Sequence, residues 1–249
     1  MKKTIIALMA LAGVAAAAET VTLAPLTETE GWSHISLRDR ATWTQDATAG
    51  TLTLNNSNWG QAVSTYNLAT DLGGELTFSV DIARGSVSAG FSFVLIGTEK
   101  ALTLGTKDYT NGTLFYGVSD NVSADSYYLN TAWDKGIAVG STELLSAAFN
   151  YNSVTSLTGT TSVDDNGDTI LTLTAASTSA SGDATATINL GKDFVLDKIM
   201  LCGDGDNNAS GIWTVSNLSV TGTPVVPEPA TATLSLLALA GLAARRRRK

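Results

Sequence analysis

Alternation with a period of two is the feature that most constrains this chain. In "ELTFSVDIA" (75–83), Leu76, Phe78, Val80 and Ile82 fall on one side and Thr77, Ser79 and Asp81 on the other. "TLTLNN" sets Leu52 and Leu54 against Thr51 and Thr53, and "ATATINL" sets Ile188 and Leu190 on one face. Side chains that reverse direction at every residue belong to a strand, because a helix would scatter these apolar groups around its circumference. "FSFVLIG" (91–97) begins in alternation and then becomes wholly apolar, the pattern of a central strand covered on both sides. "DTILTLTAA", "FVLDKIMLC" and "GIWTVSNLSV" complete the set, rich in Thr, Val and Ile as strands prefer.

The punctuation between these segments suits hairpins and loops. Gly73-Gly74, Gly85, Asn111-Gly112, Asn166-Gly167 and Ser181-Gly182 fall between predicted strands. "SVDDNGDTILTL" is the clearest hairpin, with Asn166-Gly167 supplying positive φ. Trp213 and Val215 hold one phase and Leu218 and Val220 the other, which predicts a bulge near Ser216-Asn217. "TELLSAAF" is the one candidate helical turn, with Thr142 as its cap. About a dozen strands without a helical block predict an all-β fold, a two-sheet antiparallel jelly-roll sandwich. On "ELTFSVDI", "GFSFVLIG", "ALTLG", "DNGDTILTLT" and "GIWTVSNLSVTG", residues 76–222 resemble the concanavalin-like jelly rolls, laminin-G-like domains among them. Galactose-binding-like jelly rolls, which close in a similar strand, are the rival resemblance.

The two ends follow different rules. Met1-Lys2-Lys3 precedes an apolar run from Ile5 to Val14 and then Ala15 to Ala18, the layout of a secretory signal peptide. Cleavage is expected between Ala18 and Glu19. At the other end Pro227-Glu228-Pro229 breaks the last strand. Residues 230–244 carry no charge and include Leu234, Leu236, Leu237, Leu239 and Leu242. As a helix they would reach only about 22 Å, short of the roughly 30 Å hydrocarbon core. Arg245, Arg246, Arg247, Arg248 and Lys249 then hold that end on the cytoplasmic side.

This order of a Pro-Glu-Pro motif, a short hydrophobic helix and an arginine cluster resembles the PEP-CTERM sorting signal of Gram-negative bacteria. The resemblance implies an exosortase-type sorting enzyme that removes the tail after transient inner-membrane anchoring, export through the Sec machinery, and a destination at the cell surface or in the extracellular matrix. The expected organisation is therefore a signal peptide (1–18), a β-sandwich passenger (19–223) and a sorting and anchor segment (224–249).

Composition narrows the chemistry of the passenger. Of the chain's 15 basic and 23 acidic residues, Lys2, Lys3, the five terminal cations and Glu228 lie in the two ends. Residues 19–223 thus hold 8 basic and 22 acidic groups, a net charge of −14. That charge argues against nucleic acid as a partner. One cysteine, Cys202, excludes an internal disulfide, and its apolar setting suits a small buried hydrophobe. One histidine, His34, leaves no material for most zinc sites. Glycosidases of this architecture place paired carboxylates on one strand. The Glu-x-Asp-x-x-Glu pattern is missing, and Glu28 and Glu30 fall in an irregular lead-in. The expected passenger is a structural or adhesion module rather than an enzyme. A carbohydrate-binding, lectin-like module is the alternative, and a glycoside hydrolase the lesser one.

For glycan binding, exposed aromatics amid polar side chains are the candidates. Trp59 interrupts alternation in "NNSNWGQ", with Tyr66 and Trp133 behind it, whereas Trp43 and Trp213 read as core. No cofactor is expected except calcium. "CGDGDNNASG" sets Asp204, Asp206 and Asn208 at alternate positions, where three oxygen ligands could face one cation. Ala209 and Val215 occupy the sixth and twelfth positions, which excludes an EF-hand. The same Asp, Asn and Gly residues also suit a plain turn.

Overall fold

A computed structural model describes residues 19–37, 39–57, 61–85, 91–97, 101–106, 115–116, 127–128, 137–139, 142–145, 152–204 and 210–225. After β1 (Val21–Leu23) and a 3-10 turn (Pro25–Thr27) come β2 (Trp32–Leu37), β3 (Ala41–Asp46), β4 (Thr51–Ser57), β5 (Gln61–Arg84), β6 (Phe91–Gly97) and β7 (Ala101–Thr106). Then follow β8 (Phe115–Tyr116), β9 (Tyr127–Tyr128), β10 (Ile137–Val139), β11 (Thr142–Leu145) and β12 (Val154–Val163). The series closes with β13 (Asp168–Ser177), β14 (Ala184–Lys192), β15 (Leu196–Asp204) and β16 (Ser210–Pro224).

Every strand pairing among the described residues is antiparallel, and β5 is the strand that both layers share. Its first part pairs with β2 and β15, over Gln61–Tyr66 and Gln61–Leu72. Its second part pairs with β12 over Thr77–Ala83 and with β16 over Leu72–Arg84. One layer therefore runs β2-β5-β15-β6-β7-β10-β11, and the other β14-β13-β12-β5-β16-β4-β3 with β1 beside β16. The predicted all-β, two-sheet antiparallel sandwich is what forms.

Gly73-Gly74, expected between strands, lies within β5 instead. Gly74 has φ +70°, and the ladders to β15 and β16 both shift register near it. A strand that leaves one sheet for the other must bend sharply, and glycine reaches the required left-handed backbone without a Cβ clash. "TELLSAAF" is the second correction. Its first four residues, Thr142–Leu145, form β11, held by pairing with β10; 146–149 lie outside the described residues.

Other local expectations hold. The β12–β13 hairpin turns through Asp164–Asp168, with the Gly167 N–H donating to the Asp164 carbonyl at 3.0 Å. Gly167 alone supplies the positive φ, at +80°, while the Asp164 carboxylate accepts from the Asn166 and Asp168 N–H groups. The β16 ladder shifts between Ser216 and Ser219, where Asn217 has φ +53°.

The core lies between the layers. Leu76, Phe78, Val80 and Ile82 face Phe91, Phe93 and Leu95 of β6 and Ile199 and Leu201 of β15 within one buried cluster. Phe78 meets Phe93 at 5.5 Å between ring centres, and Phe91 meets Trp213 at 5.1 Å. Buried Arg84 stands over the Trp213 ring at 5.7 Å. Val63, Val94, Ile96, Met200 and Cys202 form a second buried cluster. They alternate with the core residues of the same strands, so they lie on the far face of the first layer. This double burial explains why β6 and β15 read as apolar runs.

Candidate functional site

Chemistry-bearing side chains gather along one side of the sandwich, where β2 of one layer approaches β3 of the other. The period of two puts Trp32, His34 and Ser36 on one face of β2. The register places Trp32 across from Tyr66 and His34 across from Ser64 of β5. From the other layer, Trp43 packs against the same core. The His34 ring stacks on Trp43 at 4.8 Å and 17°, and on Trp32 at 5.9 Å and 4°. Tyr66 meets Trp32 at 5.2 Å and 56°. The order Trp43, His34, Trp32, Tyr66 thus forms one continuous aromatic rack.

Three polar atoms of the rack are turned onto the protein. Trp32 Nε1 donates to the Pro25 carbonyl at 2.9 Å. His34 Nδ1 lies 2.7 Å from the buried Ser64 hydroxyl. The Tyr66 hydroxyl donates to the Glu28 carboxylate. Gln45 Nε2 ties the 3-10 turn to β3 through the Leu26 and Glu28 carbonyls, at 3.0 and 2.6 Å. Burial holds the His34 pKa below its ordinary value. Burial, then the Glu28 hydrogen bond and charge, push the Tyr66 phenol well above its own. The arrangement packs one side of the sandwich, and its one imidazole–hydroxyl pair, His34 with Ser64, has the hydroxyl fully buried.

Tyr66 is 3% exposed, which corrects its expected role as a glycan-facing aromatic. It lies on the core side of β5, and its hydroxyl reaches Glu28 at the rim. Trp213 is fully buried, as expected, whereas Trp43 packs on the core with part of its ring uncovered. Cys202 is buried at 1% and faces away from His34, since Val63 joins Ile35 to Cys202 in register while Ser64 joins His34 to Leu201. Glu28 is engaged by Tyr66, and Glu30 is exposed. The sequence reading missed the Trp32-x-His34 alternation, the one signal that could have exposed the rack.

Glu19 is the first described residue and is exposed. Asp204 ends β15. Ala18, Trp59, Trp133, Asp206, Asn208, Pro227, Glu228, Pro229, Leu234 to Leu242 and Arg245 to Arg248 lie outside the described residues. Among the described residues no helix is long and apolar enough to cross a membrane, and no three His, Cys, Asp or Glu side chains gather as a metal set.

Residues 225–249 match a family model described as "PEP-CTERM protein-sorting motif". Comparison with curated proteins finds no match. Among solved structures, a PL-14 alginate lyase from Aplysia kurodai aligns at 10% identity and TM-score 0.42, covering 84% of this chain and 100% of that one. An endo-beta-1,4-glucuronan lyase from Trichoderma reesei aligns at 6% and 0.42, covering 78% and 92%. The exoplasmic/lumenal domain of VIP36, in a Ca2+/Man3GlcNAc-bound form, aligns at 10% and 0.45, covering 85% and 92%. Likeness at this level assigns no activity. The sorting motif does assign a route: the chain is exported and sorted to the cell surface or extracellular space.

Proposed function

We propose that the chain is a surface or matrix module whose β-sandwich, residues 19–223, is non-catalytic and serves structure or adhesion. The observation that carries this reading is the inward engagement of the rack: Trp32 Nε1, His34 Nδ1 and the Tyr66 hydroxyl are bonded to the Pro25 carbonyl, Ser64 and Glu28. A catalytic acid or base must instead reach a proton on a substrate. In this reading residues 1–18 direct export through Sec, and residues 224–249 anchor the chain until an exosortase-type enzyme removes them. Incubating the purified protein with a panel of surface polysaccharides tests the non-catalytic part. Unchanged chain lengths support it, and any cleaved or unsaturated product refutes it.

A carbohydrate-binding module is the second reading, favoured by the partly uncovered Trp43 ring beside His34. Trp59 and Trp133 remain candidates for the same role. Retention on a glycan array that is lost in Trp43→Ala or Trp59→Ala supports it; an empty array removes it. For Asp204, Asp206 and Asn208 the chemistry to test is calcium. A melting midpoint that rises with millimolar calcium and falls with chelator identifies a site, and equal midpoints make the loop a turn.

A further inference from the structure

The outward face of the second layer carries a row of threonines that crosses six strands. Thr22 pairs with Thr221, Thr221 with Thr77, Thr77 with Thr160, Thr160 with Thr172, and Thr172 with Thr187. Two residues along, Ser219, Ser79, Thr158, Thr174 and Thr185 make a second row. Three adjacent strands, β12, β13 and β14, therefore each present Thr-x-Thr. Neighbouring strands lie about 4.8 Å apart, and alternate residues about 6.7 Å apart along a strand. Hydroxyls and γ-methyls thus recur on a two-dimensional grid.

Threonine favours strands on its own account, but three further features set this face apart. At its margin the hydroxyls are engaged: Thr22 and Thr221 bond each other at 2.8 Å, and Ser79 donates to the Asn217 carbonyl at 3.2 Å. On the grid, the side-chain hydroxyls of Thr77, Thr158, Thr160, Thr172, Thr174, Thr185 and Thr187 hydrogen-bond to no other group among the described residues. Neither row holds an ionisable residue, in a chain of net charge −8. Neither row holds an aromatic ring, the usual platform for a sugar.

Such a face gains little from a soluble ligand, because each hydroxyl only exchanges one water hydrogen bond for another. It gains when many positions are matched at once, so that later contacts form at high effective concentration. The partner must be uncharged, must both donate and accept, and must repeat in two dimensions. Ice meets all three conditions. We propose that the β12–β13–β14 threonine face is an ice-binding surface. Sheet twist rotates neighbouring strands by about 20–25°, which confines the match to a few strands, the extent of this block. The inference rests on the export reading only for where the face meets ice.

Slow growth of ice through a solution of the purified exported protein tests this. The protein should enrich in the ice fraction. Thr160→Lys and Thr172→Lys, each at an exposed position, should stay in the liquid like an excluded reference protein, with unchanged melting midpoints. Thr44→Lys, on the same layer but off the grid, should enrich as the parent does. Exclusion of the parent from ice overturns the proposal, as does enrichment of both grid variants. Co-sedimentation with crystalline cellulose or chitin together with exclusion from ice also overturns it, in favour of a polysaccharide. Failed tail removal with ice enrichment intact would fault the sorting reading alone.

Discussion

Gly159 stands directly across from Phe78 in the β12–β5 ladder, and the Phe78 ring fills the space that a side chain at 159 would need. The pair lies at the inner face, where Phe78 also meets Phe93 of the opposite layer. Gly159→Ala should therefore overpack the core and cost about 1–3 kcal/mol. A lowered urea midpoint at unchanged slope reads this out. Adding Phe78→Leu should recover part of the loss, because contacting residues couple. An unchanged midpoint in Gly159→Ala would refute the packing.

Tyr66→Phe keeps the ring beside Trp32 and removes only the hydrogen bond to Glu28. The expected loss is about 1.5 kcal/mol, at the low end for a charged acceptor because the Glu28 carboxylate stays open to water. Glu28→Gln should lose less, since an amide oxygen still accepts. Equal stability of Tyr66→Phe and parent would show that the bond contributes nothing.

His34 should make stability depend on pH. Its folded pKa lies below the ordinary 6.5, because burial disfavours the charged ring. Below 6.5 the unfolded chain then binds more protons than the folded one. The contribution is fully present above the unfolded pKa and is lost as pH falls through the window beneath it. Melting midpoints should drop between about pH 7.5 and about pH 5.5, and the drop should shrink in His34→Phe, which keeps a ring between Trp32 and Trp43. An equal drop in the variant would assign the effect to other groups.

The sorting motif at 225–249 predicts a shortened mature chain. Intact-mass analysis of the surface-located protein should lack Arg245 to Lys249. Recovery of the full C-terminus would refute removal of the tail.

Much of the architecture was legible because a strand writes its two faces into alternate residues. Leu76, Phe78, Val80 and Ile82 are buried as the pattern requires, and the unbroken run of β6 marks a strand buried on both faces. The hairpin at Gly167 and the irregularity at Asn217 were legible for the same reason, since each breaks or reverses a local rule. The tail needed no fold at all. Its proline pair, apolar run and cations are read in one dimension.

Tertiary structure decided what depends on partners far along the chain. Gly73-Gly74 looks like a loop, yet β15, β12 and β16 hold its flanks in one strand and make it a corner. Thr142–Leu145 has helical residues, but pairing with β10 claims its backbone. Tyr66 is a plausible surface aromatic until β2 lies beside it and Glu28 meets its hydroxyl. The threonines of the rows lie far apart in sequence and become a grid only when six strands fall into register. Alternation fixes which face a side chain takes. Only long-range backbone pairing fixes which neighbours share that face.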